Sequence, residues 1–195
     1  MSSFRDARGL LLLVGGSAIA CAHGPRPVDA ARAAPAAVYA ALIDSVFTRP
    51  VPDTLLVAES TLVFRAPVGV VSAWRTQFDS LPTGLPRALE SASAFRQSSE
   101  ELPLPRPTRI VTRRELREIF ARGIERGWEE FARRYPRQRN YLQFSRVVFT
   151  SGYADALVYY EYHCGGLCGG GEIVWLVPSD NGRWRVRKRI QRWVS

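Results

Sequence analysis

His163-Cys164-Gly165-Gly166-Leu167-Cys168-Gly169-Gly170-Gly171 separates two strand-like runs, Ala156 to His163 and Gly171 to Val177. In both runs the side-chain pattern has a period of two, the mark of a half-buried strand. Working outward, Tyr141 to Phe149 precedes this pair and Arg183 to Val194 follows it, with turns at Ser151-Gly152 and Ser179-Asp180-Asn181-Gly182. Asn-Gly between apolar runs favours a hairpin, because both residues accept positive φ. The expected fold is α+β, a C-terminal four-stranded antiparallel meander packed on one face against N-terminal and central helices.

Upstream the periodicity changes. Val38, Leu42 and Val46 recur at helical spacing and predict a short helix from Ala36 to Phe47. Thr54 to Phe64 reads as a strand able to join the C-terminal sheet. Prolines interrupt residues 65 to 108, within which Arg87 to Gln97 has the pattern of a helix burying Leu89 and Phe95. Thr108 to Val111 reads as a short strand. Thr112 and Glu115 have capping-box spacing at the start of a helix with Leu116, Ile119 and Phe120 on its apolar face. Gly123 and Gly127 each cost a helix about 1 kcal/mol relative to Ala, so a break or bend is expected there, before a second piece from Trp128 to Tyr135.

The first residues carry a different signal. Arg5 and Arg8 precede an apolar run from Leu10 to Ala20, too short to span a bilayer and of the form of a secretory signal. Ala18-Ile19-Ala20-Cys21 resembles a bacterial lipobox, which makes Cys21 the expected lipid-attachment residue; cleavage after Ala20 or Ala22 by ordinary signal peptidase is the alternative. The expected organisation is a signal peptide over 1–20, the lipid-attachment Cys and a tether over 21–35, and one α+β domain over 36–195. A domain of this size buries roughly 70% of its unfolded surface.

The chain holds 27 Lys+Arg against 18 Asp+Glu, a formal charge of +9, and Lys188 is its only lysine. Loss of Arg5, Arg8 and Asp6 with the signal leaves 9 − 2 + 1 = +8. A basic balance suits a polyanion, an anionic membrane surface, or solubility alone; export argues against nucleic acid.

Trp128-Glu129-Glu130-Phe131, Tyr135-Pro136, Phe144-Ser145-Arg146-Val147, Ala156-Leu157-Val158-Tyr159, Cys164-Gly165-Gly166-Leu167-Cys168-Gly169, Gly182-Arg183-Trp184-Arg185-Val186 and Trp193-Val194-Ser195 together resemble a family of uncharacterised bacterial exported proteins that read as lipoproteins, with a C-terminal antiparallel sheet and a Trp-Ile/Val-Ser end. The resemblance covers the last 90 residues best and implies fold and localisation. It brings no activity and no catalytic residues.

Cys164 and Cys168 are the remaining cysteines once Cys21 is lipidated, and in an exported chain they favour a disulfide. A redox role calls for C-x-x-C at a helix start. Zinc calls for more donors than His163, Cys164 and Cys168 supply, with His163 and Cys164 on opposite strand faces. The glycine run lacks the Lys-Ser/Thr and the helix of a phosphate loop. Glu161 and Glu172 flank the loop and could serve acid–base chemistry, or simply be charged residues on exposed strand positions. Arg183, Arg185, Arg187 and Arg189 alternate along the last strand as a candidate anion-binding row, spaced ~7 Å apart, its bland counterpart being a solvated sheet face partly neutralised by Glu161 and Glu172. Trp175 and Trp184 are placed to pair across the final hairpin. No metal site, cofactor or catalytic residue is assigned.

The expected function is a non-enzymatic binding or scaffolding domain of an envelope lipoprotein. It would be anchored to the outer membrane and face the periplasm, with anionic lipid or another polyanion as partner and no protein partner identified. The alternatives are a soluble periplasmic or secreted protein, and a ligand-binding or hydrolytic module with a pocket between sheet and helices.

Overall fold

A run of alanines, the best helix former, carries the first helix further upstream than apolar spacing alone predicts. α1 spans Pro27–Val46, with Pro35 inside it. The expected tether therefore enters a helix at Pro27. The computed structural model describes residues 27–47, 52–65, 77 and 80–195; the signal peptide and Cys21 lie outside the described residues.

The chain continues as β1 (Leu55–Ala58), α2 (Leu85–Ala92), β2 (Thr108–Val111), α3 (Arg113–Ile119) and α4 (Ile124–Arg134). It ends in β3 (Tyr141–Phe144), β4 (Val148–Phe149), β5 (Ala156–Gly165), β6 (Cys168–Pro178) and β7 (Trp184–Val194). The fold is α+β, but the sheet is larger than a four-stranded meander. Its order is β2-β1-β3-β5-β6-β7, with β4 also paired to β5, and all pairings are antiparallel except those of β1 with β2 and β3. The run from Tyr141 to Phe149 divides into β3 and β4 at Ser145. There the Ser145 backbone N–H donates to Tyr159 O while its Oγ accepts from Tyr159 N, so the two pieces still follow one path along β5.

Helices cover both faces of the sheet, not one. On the first face Val38, Tyr39, Leu42 and Ile43 of α1 pack on Leu142, Phe144, Val158, Tyr160, Val174 and Leu176. On the second, Leu85 and Leu89 of α2 meet Leu157, Ile173 and Ile190, while Ile119 of α3 and Phe131 of α4 close over Leu56 and Val111. The alternation of each strand feeds both cores, which is why β5 is buried at five successive positions from Ala156. Tyr39 Oη, buried under α1, donates to Ser145 O at 2.8 Å. Tyr39→Phe is expected to cost about 1–2 kcal/mol in a urea melt, through the carbonyl left without its donor at the β3–β4 break.

Several local expectations meet the structure differently. The Thr112–Glu115 capping box forms as read. Gly123 caps α4 with a φ of 94°, open to glycine and strained for other residues. Gly127, expected to break the helix, lies inside it: a Cβ there would sit 2.1 Å from Phe120 Cδ1, so the bare backbone is the seat of that ring. Leu89 is buried but Phe95 is 79% exposed, because α2 ends at Ala92. Trp175 pairs with Lys188 and Trp184 with Pro178, so the two tryptophans do not face one another.

Candidate functional site

Gly165 pairs with Cys168, which shortens the glycine-cysteine connection to Gly166-Leu167. Cys164 and Cys168 are joined by a disulfide with Cα atoms 5.1 Å apart, within the normal span of such a bond. Gly169, Gly170 and Gly171 are strand residues, not loop. Their missing side chains make room for rings: a Cβ on Gly170 would lie 2.9 Å from Tyr162 Cε1, and one on Gly171 would lie 2.4 Å from Trp193 Nε1 and 2.9 Å from Tyr159 Oη. Aromatic cover over strand glycines restores the packing that glycine forfeits.

Glu161 and Glu172 occupy opposite faces of the sheet, so they form no acid–base pair. Glu161 accepts hydrogen bonds from Tyr159 Oη and, at 3.0 Å, from Trp193 Nε1, with His163 Nε2 3.4 Å from its other oxygen. His163 stacks on Tyr141 with centroids 4.6 Å apart. Burial pushes the Glu161 carboxyl up, but hydrogen bonds from His163, Tyr159 and Trp193 outweigh it, and the group sits below its ordinary range. Burial and the Glu161 carboxylate raise the Tyr159 phenol.

Across the sheet, Arg189 Nη1 donates to Glu172 Oε2 at 2.5 Å and to Tyr160 Oη at 3.1 Å, and Tyr160 Oη donates to Glu172 Oε2 at 3.0 Å. Arg189 Nη2 reaches Ser45 Oγ at 2.7 Å at the end of α1. This cluster floors a cleft of about 430 Å³ between α1 and the sheet, walled also by Phe47, Tyr162 and Asn140.

The arginine row does not run the length of β7. Register slips between Trp175 and Leu176, whose partners are Lys188 and Val186, so the extra residue Arg187 reverses the side-chain phase. Arg187 lies over the Trp175 ring at 4.9 Å on the second face, whereas Arg189 turns to the first face beneath α1. Arg185 is exposed and Arg183 lies in the turn before β7.

At the closed end of the hairpin, Leu167 is 91% exposed and Ile124, at the start of α4, is 63% exposed. A Cβ on Gly166 would sit 3.4 Å from Ile124 Cγ2, so the tip rests against α4. Arg122 and Arg126 flank Ile124, both exposed and without an ion-pair partner among the described residues. They line a groove of about 690 Å³ between α3 and α4 in which carboxylates and guanidiniums alternate: Arg133 and Arg134 pair with Glu130, Arg134 also with Glu118, and Glu129 lies exposed beside them. Sequence reading missed this patch, although Leu167 was visible as the one large apolar residue between the two cysteines.

No family model, curated protein or solved structure matches the chain.

Proposed function

We propose that this chain is an exported envelope lipoprotein, anchored through Cys21, whose domain is a non-enzymatic binding module held against an anionic membrane surface by its hairpin tip. The observation that carries the reading is the pairing of Leu167 and Ile124, both exposed, with Arg122 and Arg126 beside them; neither arginine forms an ion pair among the described residues, although Glu125 and Glu129 are exposed nearby. A short apolar tip partitions into the headgroup boundary, and each basic residue near an anionic surface adds about 1 kcal/mol. The disulfide supports an oxidising compartment, and it holds the tip to two residues. Arg185 and Arg187, at the far end of β7, add to the positive field without touching the same surface.

Sedimentation with vesicles tests the proposal, using a chain that begins at Ala22 and so lacks both the apolar leader and any acyl group. Binding to phosphatidylglycerol vesicles is expected to exceed binding to phosphatidylcholine vesicles and to weaken with salt. Leu167→Ser with Ile124→Ser is expected to reduce it about tenfold, as is Arg122→Ser with Arg126→Ser. Equal binding to both lipids, or indifference to both double variants, overturns the membrane reading. Mass spectrometry of the exported protein separately tests the anchor, which an unmodified terminus after Ala20 or Ala22 would exclude.

A further inference from the structure

The cleft between α1 and the sheet has a chemistry of its own. Its size lies within the ~300–1,000 Å³ of small-molecule sites. Tyr160 and Tyr162 stand side by side on β5 with ring centroids 6.2 Å apart; Tyr160 is buried and backs the wall, while Tyr162 is half-buried and Phe47 faces the same space from the end of α1. Among the polar groups, Arg189 is fully committed: its two terminal nitrogens are engaged by Glu172, Tyr160 and Ser45. The charge of the pair is thereby cancelled within the protein, which argues against an anion as occupant.

Three polar groups lining the cleft are uncommitted among the described residues. The Tyr162 hydroxyl and the Asn140 amide make no hydrogen bond, and Glu172 spends Oε2 on Arg189 and Tyr160 while Oε1 accepts none. Together they offer a fixed acceptor, a hydroxyl that donates or accepts, and an amide that does both. These groups reach solvent and are hydrated in the free protein, so a ligand that displaces their water must offer hydroxyls in its place. Flat aromatic walls call for a ligand with an apolar face. A ring bearing hydroxyls at its edge and C–H groups on its face satisfies both demands.

We infer that this cleft binds a neutral saccharide, with a sugar ring laid against the half-buried rings of Tyr162 and Phe47 and its hydroxyls taken by Glu172 Oε1, Asn140 and the Tyr162 hydroxyl. Glu172 acts as an acceptor and Arg189 holds it in place; neither is assigned a chemical step. The inference is independent of the membrane reading, since the cleft opens beneath α1 and, although Cys164 reaches its rim, uses none of Leu167, Ile124, Arg122 and Arg126.

Ligand-observed saturation-transfer NMR on the full-length protein tests it, with oligomers of glucose, mannose and N-acetylglucosamine as probes. At least one is expected to bind with a millimolar or tighter dissociation constant and little dependence on salt, in contrast to vesicle binding. Asn140→Ala and Tyr162→Phe each remove one uncommitted group without emptying the core, and each is expected to weaken binding about tenfold. Leu167→Ser with Ile124→Ser should leave it unchanged. Absence of binding by all three probes, affinity equal in the two cleft variants and the parent, or displacement of the sugar by inorganic phosphate at low salt overturns the inference.

Discussion

Gly171→Val is expected to be among the most damaging single substitutions in this sheet, costing about 3–5 kcal/mol. A Cβ at this position meets Trp193 Nε1 at 2.4 Å, Trp193 Cδ1 at 2.8 Å and Tyr159 Oη at 2.9 Å. Valine's two further methyls enlarge the clash. If the indole moves away, Glu161 loses its donor at 3.0 Å and the end of β7 loses its cover. Overpacking accounts for about 1–3 kcal/mol and the uncovered carboxylate for a similar amount. For a domain of this size that is a fall in Tm of roughly 10 °C. Gly166→Ala is the control: its nearest neighbour is Ile124 Cγ2 at 3.4 Å, ordinary contact, so it is expected to be near neutral. Equal urea midpoints for the two variants would show that the glycines of β6 are not ring seats.

Glu161→Leu is expected to cost about 3 kcal/mol at neutral pH, because it removes the acceptor of the Tyr159 hydroxyl and leaves the Trp193 indole N–H only its longer bond to Tyr159 Oη at 3.3 Å. Glu161→Gln keeps an acceptor and should cost about half as much. The pH dependence separates a charged acceptor from a merely polar one. The folded carboxyl lies below the ordinary value of 4.5, because the hydrogen bonds from His163, Tyr159 and Trp193 outweigh its burial. The unfolded chain therefore takes up the proton first as pH falls. The stability contributed by the carboxylate is complete above the ordinary value and is lost as pH drops through the lower folded one. The gap between the parent and Glu161→Gln is accordingly expected to narrow on acidification to about pH 3. Glu115 also sits below its ordinary range, held there by the Thr112 backbone N–H, but it is common to both proteins and cancels in the difference. A gap of constant size across the titration would sink the ionic account of this network.

What was legible in the sequence was local. Period-two runs and Asn181-Gly182 mark the C-terminal strands because both signals are written in neighbouring residues, and the Thr112–Glu115 box marks a helix start for the same reason. The pairing of the two cysteines followed from their number and setting. The parallel pairing of β1 with β2 and β3 was not legible, since it joins Leu55 to Thr108 and Val57 to Leu142 through contacts that no local pattern encodes. Gly127 reads as a helix break and the run from Gly165 to Gly171 as a connection between strands, whereas Gly127, Gly170 and Gly171 are close-approach positions, a distinction that depends on which ring comes to rest there. The candidate sites divide along the same line. Cys164, Cys168 and the arginines of β7 could be named in advance, whereas Arg122 and Arg126 could not, and the cleft draws Phe47, Asn140, Tyr162 and Glu172 from four separate stretches.

The extra residue at Arg187, one of two along β7, has a meaning beyond geometry. Strict alternation would place Arg185, Arg187 and Arg189 in one column, all on the same side of the molecule. Inserting a single step between Val186 and Lys188 sends Arg189 to the interior partner Glu172 and leaves Arg187 outside over Trp175. Chain length thus works here as an address. Exchanging one arginine for another cation in β7 alters a contact, while adding or removing one residue would reassign which cations meet solvent and which complete the cleft.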